Sequence, residues 1–329
     1  MKKSLLALAV LGAFAGAASA QSSVTLYGRV DLSVGKPIGT ANKGMFNGSG
    51  SRFGVRGVED LGGGLKALFQ IEHRFDADTG GSQNFNVARE GSTAAGTGNR
   101  FWGGRSIVGV EGGFGQVLMG REYTVPFFTS QLAADPWGWD TIASQITIPL
   151  TGGSIVTVRN DSSLTYRGTF GGFTFGLQTA ERTDTFTNRV KRPVNVGFSY
   201  AGGPVYVGFG HEVVGNNAKW TTANASVRFG AFKPGIFIGS GNPAAPTTTK
   251  HRSVMLTGVG YFGAGELRLA FGKLQARPAV GAKIDVVSGG AIGYHHNLSK
   301  RTTVYVDVAR NSKAATQQTG YDFGLKHNF

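Results

Sequence analysis

Apolar and polar residues alternate along most of this chain with a period of two. In 64–77, Leu65, Ala67, Phe69, Ile71 and Phe75 share one face, and Lys66, Gln70, Glu72 and Arg74 share the other. In 302–310, Val304, Val306 and Val308 oppose Thr303, Tyr305 and Asp307. At the start, Val24, Leu26, Val30, Leu32 and Val34 oppose Thr25, Arg29, Asp31 and Ser33. Successive side chains of a strand point to opposite faces, so this period predicts strands. About sixteen such segments occur, each roughly 8–13 residues long, which suits a tilted strand crossing a bilayer. They fall near 23–35, 50–60, 64–77, 100–112, 114–121, 158–168, 172–181, 193–201, 203–213, 219–230, 233–240, 250–262, 265–273, 283–296, 302–310 and 319–329. No segment carries a helical apolar period with caps.

The connections alternate in length. Leu61–Gly64, Glu111–Gly115, Phe170–Gly172, Gly202-Gly203, Phe262–Gly265 and Asn297–Arg301 are tight, and most are rich in glycine, which accepts positive φ. Between them lie longer polar pieces at 36–49, 78–99, 122–157, 182–192, 241–249 and 311–318. Short turns on one rim and long loops on the other suit an outer-membrane barrel. A soluble two-sheet sandwich gives the same local alternation but does not require it in loop length. The charges on the polar faces, and the lack of apolar surplus for a second layer, favour a water-filled lumen with aliphatic side chains facing lipid. The last segment, Tyr321–Phe329, and the first, Val24–Val34, would be hazardous as free edges. Pairing them closes the barrel, with the terminal Phe329 at the seam.

The first twenty residues read as a secretory leader. Lys2 and Lys3 precede an apolar run, Leu5–Ala17, and Ala18-Ser19-Ala20 is a small-residue cleavage site. The barrel domain is then 21–329. The run is too short to span a membrane as a helix. The formal charge of +14 falls to +12 without the leader, which holds two Lys and no acid. The basic residues are dispersed in an exported chain, so nucleic acid is a poor partner, and attraction of small anions is the better reading. With no Cys, the fold does not rest on disulfides.

Several segments carry a family resemblance. Ser23–Gly28, the turn Gly57–Ala67, Gly113–Val117, Met119–Glu122, Arg159–Tyr166, His296–Thr302 and the terminal Phe329 resemble Gram-negative general diffusion porins, in particular their beta-proteobacterial branch. The resemblance spans essentially the whole chain after the leader. It implies an all-β fold: a transmembrane antiparallel β-barrel of 16 strands whose third long loop folds inward. It also implies a homotrimer in the bacterial outer membrane, a passive channel for small hydrophilic solutes and ions, and assembly through the C-terminal strand.

The segment 122–157 is the longest connection and holds no Lys or Arg. It carries Glu122, Asp135 and Asp140 and an aromatic cluster at Phe127, Phe128, Trp137 and Trp139, which suits a constriction loop packed on the inner wall. Opposite it, Arg52, Arg105 and Arg159 match the wall arginines of the porin constriction. Arg56 shares a face with Arg52. In the sixth segment, Arg159, Asp161, Ser163, Thr165 and Arg167 are expected to share one face. Arginines opposed by loop carboxylates set up a transverse field across a narrow aqueous gap, which predicts an anion preference.

Other signals fall away. Gly258–Gly263 spells a dinucleotide fingerprint but ends a strand and opens no helix. His295 and His296 point to opposite faces and cannot chelate together. No cofactor, metal site or catalytic set is expected, so the chain does not read as an enzyme. A substrate-specific channel for an anion or a sugar is the alternative to passive diffusion. A barrel enzyme or adhesin is a third class.

Overall fold

The two ends of the chain meet. In the computed structural model, which describes residues 22–48, 50–83, 101–181, 191–215, 217–243 and 249–329, the first strand, β1 (Ser23–Lys36), pairs antiparallel with the last, β18 (Thr319–Asn328). The register runs from Arg29 opposite Asn328 to Lys36 opposite Tyr321. Two further backbone bonds, Gly28 N to Phe329 O at 3.0 Å and Phe329 N to Gly28 O at 3.1 Å, extend the seam by one residue. The expected leader, 1–20, lies outside the described residues, as do parts of four expected long loops.

Between the ends run β3 (Arg52–Gly62), β4 (Leu65–Asp76), β6 (Ser106–Gly112), β7 (Gly115–Tyr123), β8 (Arg159–Phe170), β9 (Phe173–Ala180), β10 (Val194–Gly202), β11 (Val205–Val213), β12 (Lys219–Val227), β13 (Phe232–Asn242), β14 (Lys250–Phe262), β15 (Gly265–Arg277), β16 (Ile284–Asn297) and β17 (Thr302–Asn311). Two short strands, β2 (Gly44–Asn47) and β5 (Gly81–Ser82), prolong β3 and β6 past irregular stretches by pairing with β1 and β4. The remaining sixteen strands form one closed antiparallel sheet, so no edge is left unpaired. Tight turns close one rim. Phe170 and Phe173 flank Gly171 and Gly172, whose φ values of 56° and 84° suit glycine. Among the described residues no helix is long and apolar enough to cross a membrane.

The outward face is apolar. Val24, Leu26, Leu164, Leu177, Ile238, Leu256, Phe271, Val306 and Phe323 are all exposed there. A belt this continuous would aggregate in water and is at home in hydrocarbon. Phe114, Phe170, Phe229, Phe262 and Phe329 stand exposed beside the tight turns or the chain end, as an aromatic girdle at one membrane interface does.

The apolar core lies inside the barrel. The connection from β7 to β8 turns inward as a π-helical turn (Phe127–Gln131) that runs into Leu132–Ala134 and then as a helix, α1 (Ser144–Gly152). Sequence periodicity did not predict these helical pieces. Polar residues such as Thr129, Ser130, Gln131, Thr147 and Thr151 are buried in them beside the apolar ones, because the loop is walled in on most sides, so no amphipathic stripe develops. Trp137, Ile142, Ile146 and Leu150 pack on the inward side chains Trp220, Phe237, Met255, Leu274 and Val287 of β12 to β16. Trp220 also donates its indole N–H to Thr151 O at 2.9 Å. A Cβ on Gly153 would fall 2.5 Å from the Trp220 ring, and the φ of 62° there independently favours glycine.

Candidate functional site

The lumen wall opposite this loop carries a row of arginines. The β-sheet register sets it: Arg29 of β1 lies opposite Arg52 of β3, and Arg52 lies opposite Arg74 of β4. Like charges directly across strands repel, so the row needs counter-charges and polar partners. Glu72 accepts from Arg74 Nε at 2.7 Å and from Tyr27 OH at 3.2 Å. Arg74 Nη2 donates to Tyr123 OH at 2.9 Å. Arg159 donates to the same hydroxyl and lies 4.0 Å over the Tyr123 ring. From the loop, Asp140 Oδ2 accepts from Arg29 Nη1 at 3.1 Å. Four guanidinium groups thus meet two carboxylates at one level of the lumen. Arg74 and Arg159 are buried behind the wall surface, whereas Arg29 and Arg52 reach water.

Burial lifts the Asp140 carboxyl from 3.8 to about 6, although Arg29, Arg52 and Lys326 all hold it down. It is therefore an anion at neutral pH and becomes neutral in mild acid.

The remaining expected site residues fall elsewhere. Arg105 does not face the loop across the gap: its Nε donates to Glu122 Oε1 at 3.0 Å, a second contact joins Nη2 to Oε2, and Nη1 donates to Gln70 at 2.6 Å. Glu122 accordingly corrects the expectation of a loop acid. It ends β7 on the wall, where the side chain is buried against Arg105. Asp135 is corrected too. It is buried within the loop, accepting from Trp137 N at 3.0 Å, Trp139 N at 2.8 Å and Thr147 Oγ1 at 2.6 Å, and so shapes the loop without facing the arginines. Burial raises its carboxyl above the ordinary range, and these three donors partly offset the effect.

Arg56 stands exposed in the lumen, with its guanidinium 5.4 Å from the Tyr27 ring. Arg167 donates to Gln116 at 3.0 Å and lies 5.6 Å from the Phe128 ring, on the tight-turn side of the loop. The common face expected for Arg159, Asp161, Ser163, Thr165 and Arg167 is broken. Ser163 pairs with Gly120 but Asn160 pairs with Glu122, a bulge that includes Ser162 at φ 49°. Asp161 pairs with Arg121 at 2.5 Å, away from the arginine row. Arg159 reaches the interior because the chain is already turning in from the loop.

Sequence reasoning missed Arg29 and Arg74 as site residues, and it missed the anchors that hold the loop. Wall acids do much of that holding. Asp307 accepts from the Trp137 indole at 2.7 Å and contacts His295 Nε2 at 3.1 Å, Asp322 accepts from Ile142 N at 3.0 Å, and Glu212 accepts from Gln131 Nε2 at 2.8 Å. The available signal was the run of apolar residues at inward positions: Phe237, Met255 and Leu274 belong on a wall that something covers. His295 and His296 do take opposite faces, the first under the loop and the second beside Tyr294. Among the described residues no cluster could hold a metal ion.

The chain is similar to known proteins. A family model described as Gram-negative porin matches residues 7–316. The chain is 32% identical to outer membrane porin protein 32 of Delftia acidovorans over all of both chains. It is 28% identical, again over all of both, to an outer membrane porin protein of Bordetella pertussis. Among solved structures, an anion-selective porin from Comamonas acidovorans superposes with a TM-score of 0.73 at 26% identity, covering 94% of this chain and 100% of that one.

Proposed function

The chain belongs to the Gram-negative porin family, a channel of the bacterial outer membrane and not an enzyme, and on that premise we propose that it passes small hydrophilic solutes passively, with a preference for anions. The observation that carries the preference is the excess of Arg29, Arg52, Arg74 and Arg159 over Glu72 and Asp140 at the narrowing made by the inward loop. Fixed cations beside a low-dielectric wall raise the local concentration of anions. The Arg105–Glu122 pair adds no net charge there. The anion-selective Comamonas acidovorans porin supports the same reading by its likeness.

We further propose a homotrimer, with a cleaved leader at 1–20 and insertion by the outer-membrane assembly machinery through the C-terminal strand.

The test is the reversal potential of the refolded barrel in a planar bilayer under a KCl gradient. Anion-selective steps that lose selectivity in Arg52→Gln support the reading. Unchanged selectivity in that variant would move the filter elsewhere, and the absence of any steps from a folded barrel would remove the channel reading itself.

A further inference from the structure

Inside the barrel, where the start of the inward loop lies against β7 to β11, is a cavity of about 330 Å³. Tyr123 divides it from the arginine row: its hydroxyl takes the Arg74 and Arg159 donors, and the same residue lines the cavity. The register builds the wall. Arg167 of β8 lies opposite Gln116 of β7, Thr174 of β9 opposite Ser199 of β10, and Ala201 of β10 opposite Tyr206 of β11. The residues lining the cavity stand close to the tight turns at Gly171-Gly172 and Gly202-Gly203. In outer-membrane barrels the tight turns face the periplasm, so a solute meets this cavity on the periplasmic side of the narrowing.

The loop forms the roof, and it is pinned in place. Val125 N donates to Asn195 Oδ1, Thr129 Oγ1 to Phe209 O and Tyr206 OH to Thr129 O, each at 2.9 Å. A Cβ on Gly176 would fall 2.7 Å from Val125 Cγ1, so glycine there lets the loop lie on the wall. The lining is apolar at Val125, Phe128 and Ala201, with hydroxyls at Thr174 and Ser199. Two charged groups reach it. Glu122 is already engaged by Arg105 Nε at 3.0 Å and by Tyr123 N at 2.6 Å. Arg167 donates from Nη2 to neutral Gln116 at 3.0 Å, and among the described residues it makes no ion pair. Its guanidinium lies 5.6 Å from the Phe128 ring. A guanidinium fork can take both oxygens of a carboxylate, and a half-buried aromatic ring offers a face or an edge to a second ring. Small-molecule pockets hold about 300–1,000 Å³ and are mostly apolar with a few polar groups, so this one suits a single-ring solute.

We infer that this cavity is a subsite for a small aromatic carboxylate, with the carboxylate on Arg167 and the ring against Phe128 and Val125. The inference rests on the channel reading, since the solute arrives through the lumen. A water-filled recess in which Arg167 merely adds to the field is the rival account. The two differ in what they require of the solute, because a recess attracts every small anion alike and is indifferent to the ring.

The full chain, folded in a non-ionic detergent, would be titrated with 4-fluorobenzoate and followed by fluorine NMR, with empty micelles as the blank. The expected result is saturable binding that unlabelled benzoate displaces. Acetate carries the charge without the ring, and benzyl alcohol the ring without the charge, so each should displace the probe at least about tenfold less well than benzoate. Arg167→Gln should weaken binding about tenfold or more, and Phe128→Leu by about three- to tenfold. Arg167→Lys, which keeps the charge and loses the fork, should fall between Arg167→Gln and the wild type. Arg52→Gln should leave the affinity in place, because the probe does not sit on the arginine row. No binding above the micelle blank, displacement by acetate as good as by benzoate, or a loss in Arg52→Gln as large as in Arg167→Gln would overturn the inference. Steps in KCl alone report on the channel reading separately: a barrel with anion-selective steps and no probe binding loses only the subsite, and one that binds the probe without conducting loses only the channel.

Discussion

Arg29 Nη1 donates to Asp140 Oδ2 at 3.1 Å, joining the first strand of the wall to the middle of the inward loop. The two residues are 111 positions apart in the chain, and they meet because the barrel closes and the loop folds into it. The contact makes the charge of the narrowing depend on one titratable loop group.

Anion preference should rise as pH falls through about 6, the value to which burial lifts the Asp140 carboxyl. The sign follows from the charge: protonation removes a negative group beside the arginines and leaves them unchanged. Reversal potentials measured between about pH 4.5 and 8 in one salt gradient check this, since arginine does not titrate there. Asp140→Asn should show the high anion preference at every pH. A step of the same size in that variant would assign the titration to another group.

Arg29→Ala should move the midpoint of that step upward, because Arg29 is the foremost of the cations holding the Asp140 carboxyl down. It should also lower anion preference at neutral pH, where one cation has been lost and the carboxylate remains. A midpoint that stays in place would mean that Arg29 and Asp140 do not interact in the open channel.

The barrel, its strand count and its closure were legible because alternation is a local signal repeated along the chain. Arg52 and Arg56 were found by that same alternation, one strand at a time. Arg29 stood on the polar face of the first segment, but nothing local marks it as the neighbour of Arg52, a relation that exists only in the register between strands. Asp135 and Asp140 look alike in sequence. One is spent on three donors within the loop and the other reaches a wall arginine, a difference that only the folded loop creates. At Asp161 the alternation itself misled, because a single bulge residue inverts every assignment beyond it.

Arg105 should matter for stability more than for selection. The Glu122 side chain is 2% exposed, so Arg105→Gln strands a buried carboxylate, at a cost of about 3–5 kcal/mol. The double variant Arg105→Gln with Glu122→Gln removes equal and opposite charges. It should recover most of the lost thermal stability in detergent and keep the wild-type reversal potential. Arg52→Gln, by contrast, should shift the reversal potential toward zero with little loss of stability. Should the double variant lose selectivity as Arg52→Gln does, the Arg105–Glu122 pair would belong to the filter after all.

Trp137→Phe should loosen the loop without emptying its place. The ring continues to fill the core against β12 to β16, but Asp307 loses the indole donor at 2.7 Å. Leaving a buried acceptor short of a partner costs about 1–3 kcal/mol. His295 still touches Asp307, which favours the lower part of that range. The readout is current noise together with the temperature of loss of the folded band. Noise should rise before the barrel itself unfolds, since the altered bond holds the loop and not the sheet. Simultaneous failure of both would mean that loop and wall unfold as one unit.

The seam between β1 and β18 separates two roles of the last residue. Phe329 contributes its backbone N–H and C=O to Gly28 at 3.1 and 3.0 Å, and its ring lies where a Cβ on Gly28 would stand, 2.2 Å from Cζ. Phe329→Ala removes the ring and keeps both bonds, whereas deletion of Phe329 removes both and leaves two groups of Gly28 open at the membrane edge. Unpaired backbone groups in the hydrocarbon region cost several kcal/mol each, and somewhat less near the interface. Deletion should therefore lower the refolded fraction, read as the band that resists unfolding without heat, by more than Phe329→Ala does. Gly28→Ala should also lower it, by pressing on the ring and on Arg52 O, which the same Cβ would approach to 2.7 Å. Adding Phe329→Ala relieves the first contact and not the second, so rescue should be partial. Equal damage from deletion and from Phe329→Ala would show that the ring, and not the hydrogen bonding, closes the barrel.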